Sequence, residues 1–201
     1  QIIKNIKDEV PDVKKIDFFV LKGSHAFAVV NSRGINTGDY ATVFVSWLEL
    51  DIRRDGKIGK GMDLYIARAY NEDEFLKYPK TAMRMAVEGV EAKKMEGAFE
   101  GDAVLDPIAF DAIIWPIWYN TSALNVQEGR SRFIGMIDKE VAAEKLTIYD
   151  DGTLEGGLAT YRCDDEGIPM RKKVLIEKGK LRTFLYDTYT AYRENKQSTG
   201  N

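Results

Sequence analysis

Apolar positions recur at helical spacing in residues 1–10, where Ile2, Ile3, Ile6 and Val10 share a face before Pro11 ends the segment. The pattern then turns strand-like. Residues 16–22 and 25–30 read as two strands joined at Gly23-Ser24, and Asn31-Ser32-Arg33-Gly34 reads as a turn. Residues 40–52 set Val43, Val45, Trp47 and Leu48 among Thr and Ser, which predicts a long strand with one solvated face. Arg54-Asp55-Gly56-Lys57 is a hairpin signal, and residues 62–70 supply the return strand. Helical spacing reappears over residues 72–94 through Phe75, Leu76, Met83, Ala86, Val87 and Val90, with Asn71 as N-cap.

Gly97 and Gly101 mark a boundary. Beyond it, Ala103-Val104-Leu105 predicts a short buried strand. Asp106 caps a helix with Pro107 in its first turn, and Phe110, Ile113 and Ile114 carry that helix on, past Pro116 with a kink. Residues 145–149 predict a strand that ends in Asp150-Asp151-Gly152. Residues 171–177 and 180–186 predict a hairpin across Lys178-Gly179, and residues 187–195 a short helix. Hairpins with segregated helices, and no βαβ alternation, indicate an α+β fold.

The 201 residues are 44% hydrophobic and 30% charged, the composition of a folded globular chain. A net charge of -3 gives no basic surface for nucleic acid or an anionic membrane. No apolar run reaches the roughly 18 residues of a membrane span, and residues 1–10 mix charges unlike a signal peptide. Cys163 is the single cysteine, so no intrachain disulfide forms, and a cytoplasmic location is expected. The chain opens at Gln1 without an initiator Met and stops after Ser198-Thr199-Gly200-Asn201, so the protein is expected to extend past both ends.

Candidate chemistry is limited by histidine. His25 is the one histidine, so a two-histidine zinc site cannot form within the chain. Its place in an alternating strand suits a half-buried, hydrogen-bonded side chain better than a catalytic one. The acidic strings Asp150-Asp151-Gly152-Thr153 and Asp164-Asp165-Glu166-Gly167 could hold a cation, but solvated turns explain both more simply. Gly156-Gly157 marks a place of backbone freedom or close approach and lacks the Lys-Ser/Thr of a phosphate loop. Cys163 stands beside acidic residues, which disfavour its thiolate, and is read as unreactive. Trp115, Trp118 and Tyr119 crowd one segment; they could line a groove, but the residue pattern favours core.

Several strings, in order and spacing, resemble the TldD/PmbA family, also known as modulator of DNA gyrase or the TldD/TldE metalloproteases. They are Val104-Leu105-Asp106-Pro107, Gly129-Arg130-Ser131, Leu146-Thr147-Ile148 with the Asp150 string, the Asp164 string, Val174-Leu175-Ile176-Glu177-Lys178-Gly179, and Ser198-Thr199-Gly200-Asn201. Val30-Asn31-Ser32-Arg33-Gly34 looks like the family's turn before a long strand. The resemblance covers about residues 25–201 and is strongest from Val104 onward. It implies that residues 1–97 are part of an N-terminal α+β domain and that residues 98–201 begin the C-terminal PmbA/TldD domain, incomplete at its C-terminus.

TldD-like members carry His-Glu-x-x-x-His on a helix, with a later cysteine as a further ligand. Laid on this sequence, the motif falls at Trp115 to Asn120, with Trp115 and Asn120 in the histidine positions and Pro116 in the glutamate position. The resemblance therefore implies a PmbA/TldE-type subunit with no metal site and no catalytic residue of its own. Zinc is expected in a TldD-like partner, and a homodimer is the other assembly. The implied work is proteolysis: degradation or maturation of unfolded peptides, with Trp115, Trp118, Tyr119 and Asn120 as candidate substrate-binding residues. Two alternatives remain. One is an autonomous metal-dependent hydrolase built on residues 150–151 and 164–166; the other is a peptide-binding or scaffolding module without catalysis.

Overall fold

A computed structural model describes residues 1–201. In chain order its elements are α1 (Ile2–Glu9), β1 (Val13–Val30), β2 (Asn36–Arg54), β3 (Lys57–Ala67), α2 (Glu72–Gly89), α3 (Pro107–Thr121), α4 (Ala123–Gln127), β4 (Ile148–Asp151), β5 (Lys172–Glu177), β6 (Lys180–Leu181) and α5 (Thr188–Arg193). They form two three-stranded sheets, ordered β1-β2-β3 and β4-β5-β6. The mixture of helices and antiparallel sheet is the expected α+β class. No helix is long and apolar enough to cross a membrane.

Two compact units divide the chain. One holds Gln1–His25 and Ala41–Phe99; the other holds Ala26–Tyr40 and Glu100–Asn201. The units are thus not contiguous in sequence, because the far ends of β1 and β2 fall in the second.

In the first unit, Leu48, Leu50 and Ile52 are fully buried at alternate positions of β2, the period-2 signature of one core face. They pack with Ile6, Tyr65, Phe75, Tyr78, Ala82 and Ala86. Opposite Leu50 and Ile52 in the antiparallel register stand Gly61 and Gly59 of β3. A Cβ at Gly61 would lie 1.8 Å from the Ala82 carbonyl oxygen, and one at Gly59 would lie 1.9 Å from that of Ala86. Glycine at these two positions is what lets α2 sit directly on the strand. Ser46, also buried, shares a 2.6 Å hydrogen bond with the Tyr78 hydroxyl.

Four expectations change here. First, β1 is one unbroken strand, and no turn occurs at Gly23-Ser24. Tight two-residue hairpins need positive φ, and neither residue adopts it. The true turn is at Asn31, whose Oδ1 accepts from Arg33 N and Ile35 N while Gly34 takes φ +92. Second, α2 starts as expected, with Asn71 accepting from Glu74 N, but ends at Gly89 rather than residue 94. Beyond Val90, residues 91–99 offer a run of exposed positions with no buried face to extend it. Third, Ala103-Val104-Leu105 is not a strand; Val104 is fully exposed, since no neighbouring strand pairs with it. Fourth, His25 is exposed rather than half buried.

The second unit is built around Ala123, Ile176, Leu181, Phe184, Tyr186 and Ala191. β6 stops at Leu181, short of the expected residue 186. The chain leaves the sheet because Leu185 bonds elsewhere: its N–H donates to Thr121 O and its carbonyl accepts from Ala123 N. The hairpin tip 26–40 is fastened to the loop at 161–168. Arg162 N donates to Asp39 Oδ2 at 2.7 Å, and the Phe27 and Tyr161 rings meet edge to face at 5.6 Å. Gly167, at φ +80, faces Ile35 so closely that a Cβ would lie 2.5 Å from its Cγ2.

Candidate functional site

α3 begins as the sequence predicts. Asp106 accepts from Ala109 N at 2.8 Å and Pro107 opens the first turn. The helix runs across Pro116 to Thr121, its only buried residue. Ile113, Trp115 and Trp118 are each more than half exposed, so the core reading of the two tryptophans does not hold. Their i, i+3 and i, i+4 spacing gathers them with Tyr119 on one side of the helix. The Trp115 ring stacks on Tyr119 with centroids 5.7 Å apart and meets Trp118 at 6.0 Å.

Asn120 has a different task. Its Nδ2 donates to Pro116 O at 2.7 Å, and its Oδ1 accepts from Arg132 N at 2.6 Å. Its carbonyl accepts from Ser131 Oγ, which in turn accepts from Phe133 N. The Gly129-Arg130-Ser131 string therefore wraps the end of α3, and the Asn120 amide is occupied by the fold.

Of the four candidate residues, Trp118 lines a cavity of about 470 Å3 in the second unit. The rest of the lining comes from Asp150, Asp151 and Gly152 at and just after the end of β4, the loop 154–160, Met170, Leu185 and Asn201. β4 lies at the edge of its sheet. Trp115, Tyr119 and Asn120 are not among the lining residues. Leu154, Leu158 and Met170 were not predicted, because irregular loops carry no periodic signal. The nearest clue was Gly156-Gly157: a Cβ at Gly157 would lie 2.5 Å from Thr160 Oγ1.

The acidic strings are used for turns and ion pairs. Asp150 Oδ2 is enclosed and receives no well-aligned hydrogen bond; its stabilisation comes from contact with the ammonium of Lys173. Lys173 is buried and also donates to Gly200 O. Asp151 Oδ1 accepts from both Thr153 N and Thr153 Oγ1, and these bonds hold its carboxyl below the ordinary range, helped by Lys172. Asp164 is buried and accepts from Glu166 N and Ile168 N, each at 2.9 Å. Glu166 accepts from Thr188 N and the Thr188 hydroxyl. No group of three or more His, Cys, Asp or Glu side chains is placed to hold a metal ion.

The Ser198-Thr199-Gly200-Asn201 string is held just as firmly. Ser198 Oγ and Thr199 N both donate to Tyr186 O, and Arg171 donates to Ser198 O. Gly200 takes φ +63, and a Cβ there would lie 2.2 Å from Pro169 O. This tight passage brings Asn201 to the cavity wall.

Residues 99–201 match the family model for the PmbA/TldA metallopeptidase C-terminal domain. An uncharacterised protein of Methanocaldococcus jannaschii is 34% identical over 175 residues, covering 86% of this chain and 40% of its own length. A metalloprotease of the same organism is 27% identical over 202 residues, covering 98% of this chain and 44% of its own. The crystal structure of TldE from Thermococcus kodakarensis superposes with a TM-score of 0.75 at 22% identity, covering 100% of this chain and 45% of that one. The chain thus spans less than half the length of each relative.

Proposed function

The chain belongs to the PmbA/TldD metallopeptidase family, and on that premise we propose that it is a PmbA/TldE-type subunit that binds peptide without catalysing its cleavage. Its partner is a TldD-like chain that carries the zinc, the assembly is a cytoplasmic dimer, and the substrates are unfolded peptides.

One observation carries this reading: the side chains on α3 where the family motif falls. A zinc peptidase needs ligand lone pairs and a base beside the metal-bound water. The Trp115 indole has a donor only, and Pro116 has no side-chain donor or acceptor. Asn120 spends its amide on Pro116 O and Arg132 N. These residues do not fit a zinc ion. In the acidic strings, Lys173 holds Asp150 Oδ2, Thr153 holds Asp151 Oδ1, and Asp164 and Glu166 accept from Ile168 N and Thr188, so no three carboxylates converge on one point.

What this chain's own residues can do is hold a peptide. β4 is an edge strand whose outward backbone groups can pair with an extended chain whatever its sequence. Trp118, beside it, offers a ring face for side chains.

Photo-reactive amino acids placed one at a time at position 118 and at positions outside 104–125 test the groove. The one at position 118 should cross-link to an unfolded peptide, and cross-links confined to positions outside 104–125 would remove the groove from α3. Purification should bring down a chain bearing His-Glu-x-x-x-His. Stoichiometric zinc retained by this chain alone after dialysis would instead favour the autonomous hydrolase.

A further inference from the structure

We infer that the cavity between Trp118 and β4 is a side-chain subsite for a lysine or arginine of the bound peptide. This inference rests on the peptide-binding reading and names the class of residue the site selects. The volume, about 470 Å3, falls within the roughly 300–1,000 Å3 of ligand pockets. The lining combines two chemistries: the apolar Trp118, Leu154, Leu158 and Met170, and the carboxylates of Asp150 and Asp151. No lysine or arginine is among the lining residues.

The state of the two carboxylates decides the guest. Lys173 sits against Asp150 Oδ2, which is enclosed, while the Asp150 side chain as a whole is 35% exposed. The accessible oxygen of that carboxylate is therefore Oδ1. Asp151 is kept ionised by Thr153, and Lys172 reaches it only at 3.5 Å. Neither lysine is among the residues that line the cavity.

A guest with an aliphatic stem and a cationic end satisfies both chemistries of the lining. The stem lies against the leucines and Met170, and the cation reaches Asp150 Oδ1 and can lie over the Trp118 ring. A wholly apolar guest would strip water from Asp150 Oδ1 without replacing it, and an acidic guest would meet like charge. A peptide added to the edge of β4 sends alternate side chains to the same face, so one can enter the cavity while its backbone pairs with the strand.

The test uses blocked pentapeptides, acetyl-Ala-Ala-X-Ala-Ala-amide, with X as arginine, norleucine or glutamate, titrated against the protein by calorimetry. The arginine peptide should bind about tenfold tighter than the norleucine peptide, with the glutamate peptide weakest. Asp150→Asn should abolish the arginine advantage while norleucine binding persists. Leu158→Trp, which fills the cavity and leaves Lys173 its partner, should weaken the arginine peptide by a similar factor. Circular dichroism confirms that each variant is folded. Equal binding of all three peptides, or norleucine at least as tight as arginine, overturns the subsite while peptide binding stands. If no peptide binds, the peptide-binding reading falls and takes the subsite with it.

Discussion

The buried ammonium of Lys173 donates to the carbonyl of Gly200 at 2.5 Å. The same ammonium contacts Asp150, so one side chain ties β5 both to the end of β4 and to the Ser198–Asn201 string. Removing it strands a carbonyl and an enclosed carboxylate oxygen. Lys173→Met should destabilise the second unit by about 3 kcal/mol. In a double-mutant cycle, adding Asp150→Asn should recover part of that loss. Urea denaturation midpoints give both numbers; additive losses would show that the two charges do not interact.

The helix–strand contact in the first unit depends on absent side chains. Gly61→Ala places a Cβ on the Ala82 carbonyl oxygen, a backbone atom that cannot swing aside. The cost should be about 3 kcal/mol, from α2 being pushed off β3. Met62→Ala, one residue away on the exposed side, should cost about 1 kcal/mol or less. Thermal unfolding of the two variants should separate them clearly.

Acid stability should report on Glu194. Its carboxylate accepts from Lys196 Nζ, Gln127 Nε2 and the Tyr186 hydroxyl. Chiefly through Lys196, its pKa falls from the ordinary 4.5 to about 2. A depressed folded-state pKa contributes stability that is complete above the unfolded value and is lost as pH falls through the folded one. Wild type should therefore exceed Glu194→Gln by about 1–2 kcal/mol at neutral pH, after allowance for solvent screening of this partly exposed group. The gap should close between pH 4.5 and about 2. A gap that stayed constant over that window would mean that the carboxylate charge is not the stabilising element.

The Asn120 side chain belongs to the fold, bonding Pro116 O and Arg132 N. Asn120→Ala removes both side-chain hydrogen bonds of the α3 end and should cost about 1–3 kcal/mol. Trp115→Ala, at an exposed position, should cost much less. Amide exchange at Arg132, whose N–H bonds to Asn120, should accelerate in the first variant and not in the second.

The two helix caps, Asn71 and Asp106, were legible from sequence because a cap is made within four residues. The pairings of β2 with β3 and of β5 with β6 were foreshadowed by the Asp55-Gly56 and Lys178-Gly179 turns between them. Misreadings came where distant chain decides. Gly23-Ser24 has turn-like composition, yet the long β2 partner keeps that stretch extended. Val104 has a strand-like neighbourhood, yet nothing pairs with it. Trp115 and Trp118 look like core by type, and only the packing of the whole second unit leaves them outside.

By itself, the sequence determined the α+β class, the caps, the family strings and the chemistry of positions 115, 116 and 120. Those depend on residue identity and on contacts a few positions apart. The tertiary structure decided that Asn120 closes a helix end, that the acidic strings meet turns and lysines, and that Trp118, Asp150 and Leu158 line one cavity. Such pairings join residues tens of positions apart, and no local periodicity encodes which of them will meet.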